Sequence, residues 1–387
     1  MNVSSSLTMS VENNGDILGF INKGEVKLFD TKEDLCLYSY ENCDNTSHSL
    51  LKKCRGLIFD NEKNLLMPSF PYVDEYVYQS ESKTFNEFSH EDFERKFGDL
   101  KDWFFVPALE GTVIRMFFHS DRWWVCTNKK LDAYKSKWGS TTSFGEYFEK
   151  AISKTTGTDF EIFKNSLEKE KKYIFLLRPN SETRVVSKIY TGASEVLHLS
   201  TFNNGVFEYD NLSIGIPVNI GLLIDTFSEL VDNISTFVPE KSQGVLCFNK
   251  KTGEQIKIYN EKYYNMQSLR GNQPSIMFRY LQVRQTFQER DFITLYSEHK
   301  ESFDKYENAL VNVSTILHYL YIERYVKKNY MELPPEQHYI LKQCHSWYLN
   351  NRDPHPEIKV TREKVLEVVN AQPATVLNKL IKAVINL

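Results

Sequence analysis

The chain has 387 residues and a mass of 45.4 kDa, which is enough for two domains with a large core in the first. Its content of 41% hydrophobic and 25% charged residues is that of an ordinary globular protein. A net charge of −4 and a pI of about 6.2 exclude a generically basic nucleic-acid coat protein, so local patches must carry any binding of a polyanion.

The cysteines and the apolar segments indicate a compartment. The six cysteines are scattered singly without a C-x-x-C pair, which argues against a zinc module or a disulfide framework and fits a reducing environment. The first 15 residues lack the basic and apolar regions of a signal peptide. The most apolar run, residues 214–224, is interrupted by proline and glycine and is too short to span a bilayer. We therefore expect a soluble cytoplasmic protein without a membrane partner.

The first half of the chain reads mainly as strands. The central segment is residues 106–128, where two strands flank a corner at Glu110-Gly111 and a polar turn leads to a third strand. Before it, the pattern predicts a hairpin over residues 17–29 around Lys23-Gly24, two strands within 52–67, and a helix over 89–97 that begins at Ser89.

The second half changes character near residue 260. Helices are predicted over 142–154, 161–171 and 221–234, and strands over 172–190 (two strands around a turn at 179–181), 195–203 and 243–259. Beyond residue 259 strand patterns disappear, and helices are predicted around 310–320, from Pro335, over 361–370 and over 373–387. We predict a strand-rich domain over residues 1–265 and a helical domain over 266–387.

Five short motifs occur in a fixed order. They are Arg55-Gly56, Glu110-Gly111, the 172–190 hairpin, Gln243-Gly244-Val245 and Lys257-Ile258-Tyr259. In this order, and followed by a helical tail, they resemble the phage-type ATP-dependent RNA ligases of the covalent nucleotidyltransferase superfamily. The resemblance covers about residues 15–280. It implies an α+β fold, in which an antiparallel-sheet nucleotidyltransferase domain of the ATP-grasp-like ligase kind precedes an all-α C-terminal domain.

The resemblance also implies a chemistry. In that family a lysine in K-x-[DE]-G attacks the α-phosphate of the nucleotide and carries AMP covalently. Carboxylates hold the ribose and a divalent metal, and two lysines of the last motif stabilise charge on the phosphate. ATP and Mg²⁺ are the implied cofactors. The implied nucleotide-binding residues of this chain are Arg55, Glu110, Gly111, Gln243 and Lys257.

The chain departs from the family pattern at four positions. The nucleophile's position is Ala108, and a methyl group cannot bear an adenylyl group. The glutamate of the third motif aligns with Leu177 or its neighbour, and that of the fourth is Gln243, a neutral amide and a poorer ligand for a hard cation. Gln255 replaces the first lysine of the closing pair. These departures make retention of ATP and Mg²⁺ doubtful, and no set of metal ligands is predicted.

A basic segment suggests RNA as a partner. Residues 250–284 hold seven lysines and arginines, interleaved with aromatic residues. Positive charge beside stacking faces suits single-stranded RNA ends. The predicted RNA-binding residues are Lys251, Lys262, Arg270 and Arg279.

Three functions remain open, and with them the question whether the chain is an enzyme. The first, which we favour, is a ligase-like protein that binds RNA or nucleotide in the ligase cleft but cannot charge itself with AMP. The second is an active RNA ligase of RNA repair in which engineering replaced the nucleophilic lysine by Ala108. The third is a structural or assembly protein, for example of a virus, that reuses the fold. The expected place of action is the cytoplasm, including that of a virus-infected cell.

Overall fold

The computed structural model describes residues 6–7, 14–86, 88–179, 185–186, 194–208, 214–353 and 357–385. The chain divides into two compact units, Met1–Ser268 and Leu269–Leu387. The described strands all lie in the first unit, and the second unit is helical. The predicted α+β class, with antiparallel sheets followed by a helical C-terminal region, is confirmed.

The strands are short to medium in length. They are β1 (Ser6–Leu7), β2 (Val26–Lys32), β3 (Leu35–Tyr40), β4 (Leu57–Phe59), β5 (Leu65–Met67), β6 (Asp74–Gln79), β7 (Thr84–Phe85), β8 (Phe88–Ser89), β9 (Trp103–Ala108), β10 (Thr112–His119), β11 (Arg122–Cys126), β12 (Lys172–Arg178), β13 (Glu195–Asn203), β14 (Val206–Glu208), β15 (Gly244–Asn249) and β16 (Gln255–Asn260).

The helices cover the sheets of the first unit and build the second. They are α1 (Asn14–Asn22), α2 (Ser49–Lys53), α3 (His90–Phe97), α4 (Phe144–Thr156), α5 (Phe160–Ser166), α6 (Phe227–Thr236), α7 (Glu261–Arg270), α8 (Ile276–Val283), α9 (Glu289–Leu295), α10 (Lys300–Tyr321), α11 (Pro335–Asn351), α12 (Arg362–Asn370) and α13 (Ala374–Ile385).

Three sheets build the first unit. The first sheet has the order β1-β14-β13-β12-β10-β11, the second β8-β7-β6-β16-β15-β9, and the third β2-β3-β4-β5. Neighbouring strands run antiparallel except β6 and β16, which pair in parallel. Helices α4 and α5 pack on one face of the first sheet, the third sheet packs on its other face, and α3 and α6 cover one face of the second sheet.

The central segment folds as predicted in its elements. Strand β9 ends at Ala108, the corner follows, and β10 and β11 form a hairpin. However, β9 belongs to the second sheet whereas β10 and β11 belong to the first. The Glu110-Gly111 corner is therefore the point where the chain passes from one sheet to another.

The predicted hairpin over residues 17–29 is wrong in its first arm. That segment forms α1, and the first strand begins only at Val26. Ile17, Leu18 and Ile21 pack together with β4 in one small core cluster. Because residues three and four positions apart lie on one face of a helix, this set satisfies helical spacing better than strand alternation.

Two predicted elements of the middle region are shorter than expected. Helix α6 begins at Phe227, since Thr226 and Glu229 form a capping box that sets its start. Leu222 instead bonds to the backbone of β9, and Leu223 is 96% exposed. Helix α5 ends at Ser166 rather than at residue 171. The second strand predicted within 172–190 lies mostly outside the described residues, and β12 pairs with β13.

Helices α10 to α13 of the second unit match the four predicted there, whereas α8 and α9 were not predicted. The stripe of Leu310, Val313 and Leu317 lies buried on α10 and packs against α11, α12 and α13. Among the described residues, no helix combines the length and the apolar composition needed to cross a bilayer.

His198 makes the stability of the first unit depend on pH. Its ring is buried in β13 beside Thr201 and Phe175, and burial lowers its pKa from 6.5 to about 4. Between these two pH values His198 is protonated in the unfolded chain but not in the folded chain. The free energy of unfolding therefore falls as the pH drops. From about pH 7 to pH 5 the expected loss is roughly 2 kcal/mol, and His198→Gln should abolish it.

Urea denaturation followed by tryptophan fluorescence measures this difference, because four of the five tryptophans lie in the first unit. Equal losses for the parent protein and His198→Gln would contradict the assignment.

Candidate functional site

One face of the second sheet carries Lys257, which was predicted to bind nucleotide, and Ala108, which occupies the nucleophile's position. The strand register aligns residues of β9, β15, β16 and β6 in cross-strand rows, and residues two apart along a strand share a face. The first row is Val106, Leu246, Lys257 and Glu75, and the second is Ala108, Gly244, Tyr259 and Val77. We call the surface formed by these eight residues the Lys257 face.

The nucleophile's position on this face is closed. Ala108 is 3% exposed, and its carbonyl accepts hydrogen bonds from the backbone N–H of Gln243 (2.7 Å) and from the Ser242 hydroxyl (3.0 Å). Beside it, Gly244 has a φ of +147°, and a Cβ there would lie 2.0 Å from the Ile258 carbonyl oxygen. Only glycine fits at this position, because the neighbouring strand leaves no room for a side chain.

Lys257 is the cation of the Lys257 face, and it is already engaged. Its Nζ lies 3.0 Å from Glu75 Oε1 and donates to the Tyr259 hydroxyl at 3.1 Å. The Tyr259 hydroxyl in turn donates to Glu75 Oε1 at 2.8 Å. Burial and the nearby Glu75 carboxylate raise the pKa of Tyr259, so its hydroxyl stays protonated as a donor.

Glu110 and Gln243 are brought together by Tyr263. Glu110 Oε1 accepts from the Val185 N–H (2.6 Å), and Oε2 accepts from the Val186 N–H (2.9 Å) and the Tyr263 hydroxyl (2.9 Å). Gln243 Nε2 donates to the same Tyr263 hydroxyl at 3.1 Å. Glu110 and Gln243, which were predicted to contact nucleotide, are thus both engaged in hydrogen bonds within the protein.

Gly111 is required by close packing at the corner. A Cβ there would lie 2.6 Å from the Leu177 carbonyl oxygen and 2.8 Å from Leu176 Cδ1. The side chain of Leu177, at or next to the third-motif position, is fully buried in the core under α4. It offers no oxygen to a ribose or a metal.

Arg55 is not one of the eight residues of the Lys257 face, but it lies near Tyr40, whose ring contacts Tyr72. Burial raises the pKa of Tyr40 to about 12, and the nearby Arg55 guanidinium opposes that rise. The Tyr40 ring packs edge-on against Tyr72, at 6.4 Å between centroids, and Tyr72 lines a cavity together with Glu75.

The predicted RNA-binding residues differ in their exposure and in their partners. Arg270 is 1% exposed, donates to the carbonyls of Gln273 and Pro274, and lies over the Tyr296 ring, so it has a structural role. Arg279 donates to the Leu269 carbonyl. Lys251 is exposed in the β15–β16 turn and pairs with Asp102, and Lys262 is exposed on α7.

Sequence reasoning missed Glu75 and Tyr263. Glu75 sits in no motif, and its partner Lys257 is 182 residues away, so no local pattern indicates the pair. Tyr263 follows Tyr259 at helical spacing, but spacing alone does not reveal that it bonds to Glu110.

The described residues do not fit a bound magnesium ion. Among them, no group of three or more His, Cys, Asp or Glu residues is arranged to hold a metal. Gln243 is a neutral amide whose N–H is directed to Tyr263.

The chain resembles a group of viral proteins. It is 30% identical over 375 residues to an immediate-early protein ICP-46 homolog of Invertebrate iridescent virus 6, covering 88% of this chain and 79% of that protein. It is 24% identical over 237 residues to immediate-early protein ICP-46 of Frog virus 3 (isolate Goorha), covering 55% and 59%. No family model matches the chain.

Solved structures that resemble the chain include ligases, at low similarity. An archaeal ATP-dependent RNA ligase aligns with 10% identity and a TM-score of 0.42, covering 76% of this chain and 70% of that one. A putative ATP-dependent DNA ligase from Aquifex aeolicus aligns with 10% identity and a TM-score of 0.37, covering 92% and 77%.

Tyr263→Phe tests the bond network at the corner. Removing the hydroxyl takes a donor from the partly buried Glu110 carboxylate and an acceptor from Gln243, which should lower the free energy of unfolding by about 1–3 kcal/mol. Tyr264→Phe on the same helix is the matched control, since its ring is 41% exposed, and should change stability by less than about 0.5 kcal/mol. Denaturant unfolding measures both, and equal effects would exclude a stabilising role for the Tyr263 hydroxyl.

Proposed function

We propose that this chain, which belongs to the family of viral immediate-early ICP-46 proteins, is a nucleotidyltransferase-like protein. We propose further that it binds RNA on the Lys257 face without charging itself with AMP. Its proposed domains are a nucleotidyltransferase-like domain over residues 1–265 and a helical domain over 266–387. Its proposed place of action is the cytoplasm of an infected cell.

The observation that carries the proposal is that the same face holds a buried methyl group at position 108 and a cation at position 257. Group transfer in the resembled family needs an amine at the position that Ala108 occupies here. Ala108 lies on β9, two strands away from Lys257 on β16. Binding needs only the cation, and Lys257 is held by an ion pair whose side chains are 20% and 40% exposed. Pairs this exposed contribute about 0–1 kcal/mol, so an RNA phosphate can replace Glu75 at low cost.

The state of the nucleotide contacts supports binding over transfer. Glu110 and Gln243 are joined through Tyr263, and Leu177 is buried in the core. Glu110 and Gln243 would have to break internal hydrogen bonds to hold a ribose or a metal. Lys257 can contact a phosphate, and the exposed ring of Tyr264 on α7, whose centroid is 5.8 Å from that of Tyr259, can stack with a base.

Lys257→Ala should weaken the binding of single-stranded RNA and lower the salt dependence. One lost phosphate contact should reduce the slope of log K against log salt by roughly 0.7. Fluorescence anisotropy of labelled RNA over a salt series measures both quantities. Lys154→Ala, on an exposed position of α4, removes the same charge and should leave the slope unchanged. If the two variants behave alike, the third function, a structural role, gains support.

Incubation with radiolabelled ATP should leave the protein unlabelled, and Ala108→Lys should also stay unlabelled. The variant still lacks the carboxylate at Gln243 and the lysine at Gln255, which the family's chemistry uses to bind metal and phosphate. Gel electrophoresis after denaturation detects the covalent adduct, and circular dichroism checks that the variant is folded. Labelling of the folded variant would instead favour an RNA ligase that lacks only its nucleophile.

A further inference from the structure

Helix α10 carries an exposed stripe of residues that is uncharged over most of its length. A π-helical turn (Ile322–Val326) continues the helix, and both lie in the second unit. We call the following set the α10 stripe: Asp304, Asn308, Val311, Thr315, Tyr319, Ile322 and Val326. Its spacing repeats every 11 residues, which is about 3.67 residues per turn, so the stripe follows one face of a nearly straight helix.

The α10 stripe is exposed although its C-terminal half is apolar. Tyr319 is 60% exposed and Val326 is 64% exposed, whereas Val313 and Leu317 on the opposite side of the helix are buried in the core. A surface helix usually directs charged and polar residues to solvent. At the centre of a protein interface, by contrast, charged residues are depleted and tyrosine is enriched. The α10 stripe therefore has the composition of an interface.

The two ends of the α10 stripe differ in charge. At the N-terminal end Glu301 and Asp304 lie on the face of the stripe, and Lys300 and Lys305 lie on its two sides. At the C-terminal end Lys328 follows the last helical turn. Within the part of the chain that the structure describes, Glu301, Asp304 and Lys328 have no ion-pair partner. These charges are left for a partner that offers the opposite sign at each end.

A second copy of the α10 stripe, in antiparallel orientation, offers that match. With a two-fold axis at Thr315, residues equally far before and after position 315 face each other. Val311 of one copy then meets Tyr319 of the other, and Asp304 lies opposite the helix end that carries Lys328. A two-fold axis repeats every contact, so each of these pairs forms twice. A parallel pairing would instead place like charges together, at a cost in free energy.

We propose that two copies of this chain pair through the α10 stripe, antiparallel about a two-fold axis at Thr315. The proposal concerns the second unit and does not depend on RNA binding by the first. One helix from each copy makes an interface at the small end of the range for specific complexes. We therefore expect a dissociation constant on the order of 10 µM.

Sedimentation equilibrium of the full chain, from about 1 to 100 µM, measures this association. The parent protein should change from monomer to dimer over that range. Tyr319→Glu should raise the dissociation constant by about tenfold or more, because the axis places a carboxylate against Val311 twice. Ile162→Glu, on α5 of the first unit, is the matched control: its side chain is equally exposed, at 61%, and the dissociation constant should not change.

The two-fold axis also predicts which cysteine cross-links. Thr315→Cys places two thiols at the axis, and diamide should oxidise them to one disulfide while it takes up two electrons and two protons. Asn308→Cys lies on the same stripe, but the two thiols of a pair would be roughly 21 Å apart along the helix axis, so no disulfide should form. Non-reducing gel electrophoresis detects the linked dimer, and the parent protein controls for the six natural cysteines.

A parent protein that stays monomeric at the highest concentration would overturn the proposal. A dissociation constant that Tyr319→Glu leaves unchanged, in a variant shown by circular dichroism to be folded, would overturn it as well. Cross-linking of Asn308→Cys as readily as of Thr315→Cys would exclude the two-fold axis at Thr315. None of these results would affect the proposed binding of RNA on the Lys257 face.

Discussion

The carboxylate of Glu110 holds together three parts of the chain that are far apart in sequence. It sits at the corner where the chain leaves the second sheet for the first, and it accepts the N–H groups of Val185 and Val186 and the hydroxyl of Tyr263 on α7. A carboxylate in such a position needs donors, because an unpaired buried charge is costly. The segments that supply the donors also pack together, because Val185 and Val186 lie in one apolar cluster with Tyr263. The same corner carries the tight contact at Gly111, next to Leu176 and Leu177.

The same principle governs the Lys257 face. Glu75 satisfies Lys257 and Tyr259 together, so the polar side chains of this face are bonded to one another. Next to the face, Tyr263 satisfies Gln243. A site prepared for group transfer keeps such groups directed at the reacting atoms. Here the half-exposed Lys257–Glu75 pair is the part that can exchange partners at little cost. The proposed binding of an RNA phosphate depends on this exchange.

Several elements were predictable because their signals are local. The caps at Ser89 and Thr361 start α3 and α12, and the polar turn after His119 closes the hairpin of β10 and β11. Errors arose where a local signal competed with another. In residues 17–29 the helical spacing of apolar side chains prevailed over the Lys23-Gly24 turn, and in 221–234 the capping box prevailed over spacing.

By itself the sequence determined the α+β class, the helical C-terminal region and the absence of an amine at position 108, since each depends on residue identity or on neighbours along the chain. Only the tertiary structure decided that β9 and β10 lie in different sheets, that Arg270 is buried, and that Glu75 pairs with Lys257. The sheet crossing and the Lys257–Glu75 pair depend on strand pairing and hydrogen bonds between residues distant in sequence. The burial of Arg270 depends on how its own unit packs around it. A pattern of neighbouring residues carries no record of such contacts.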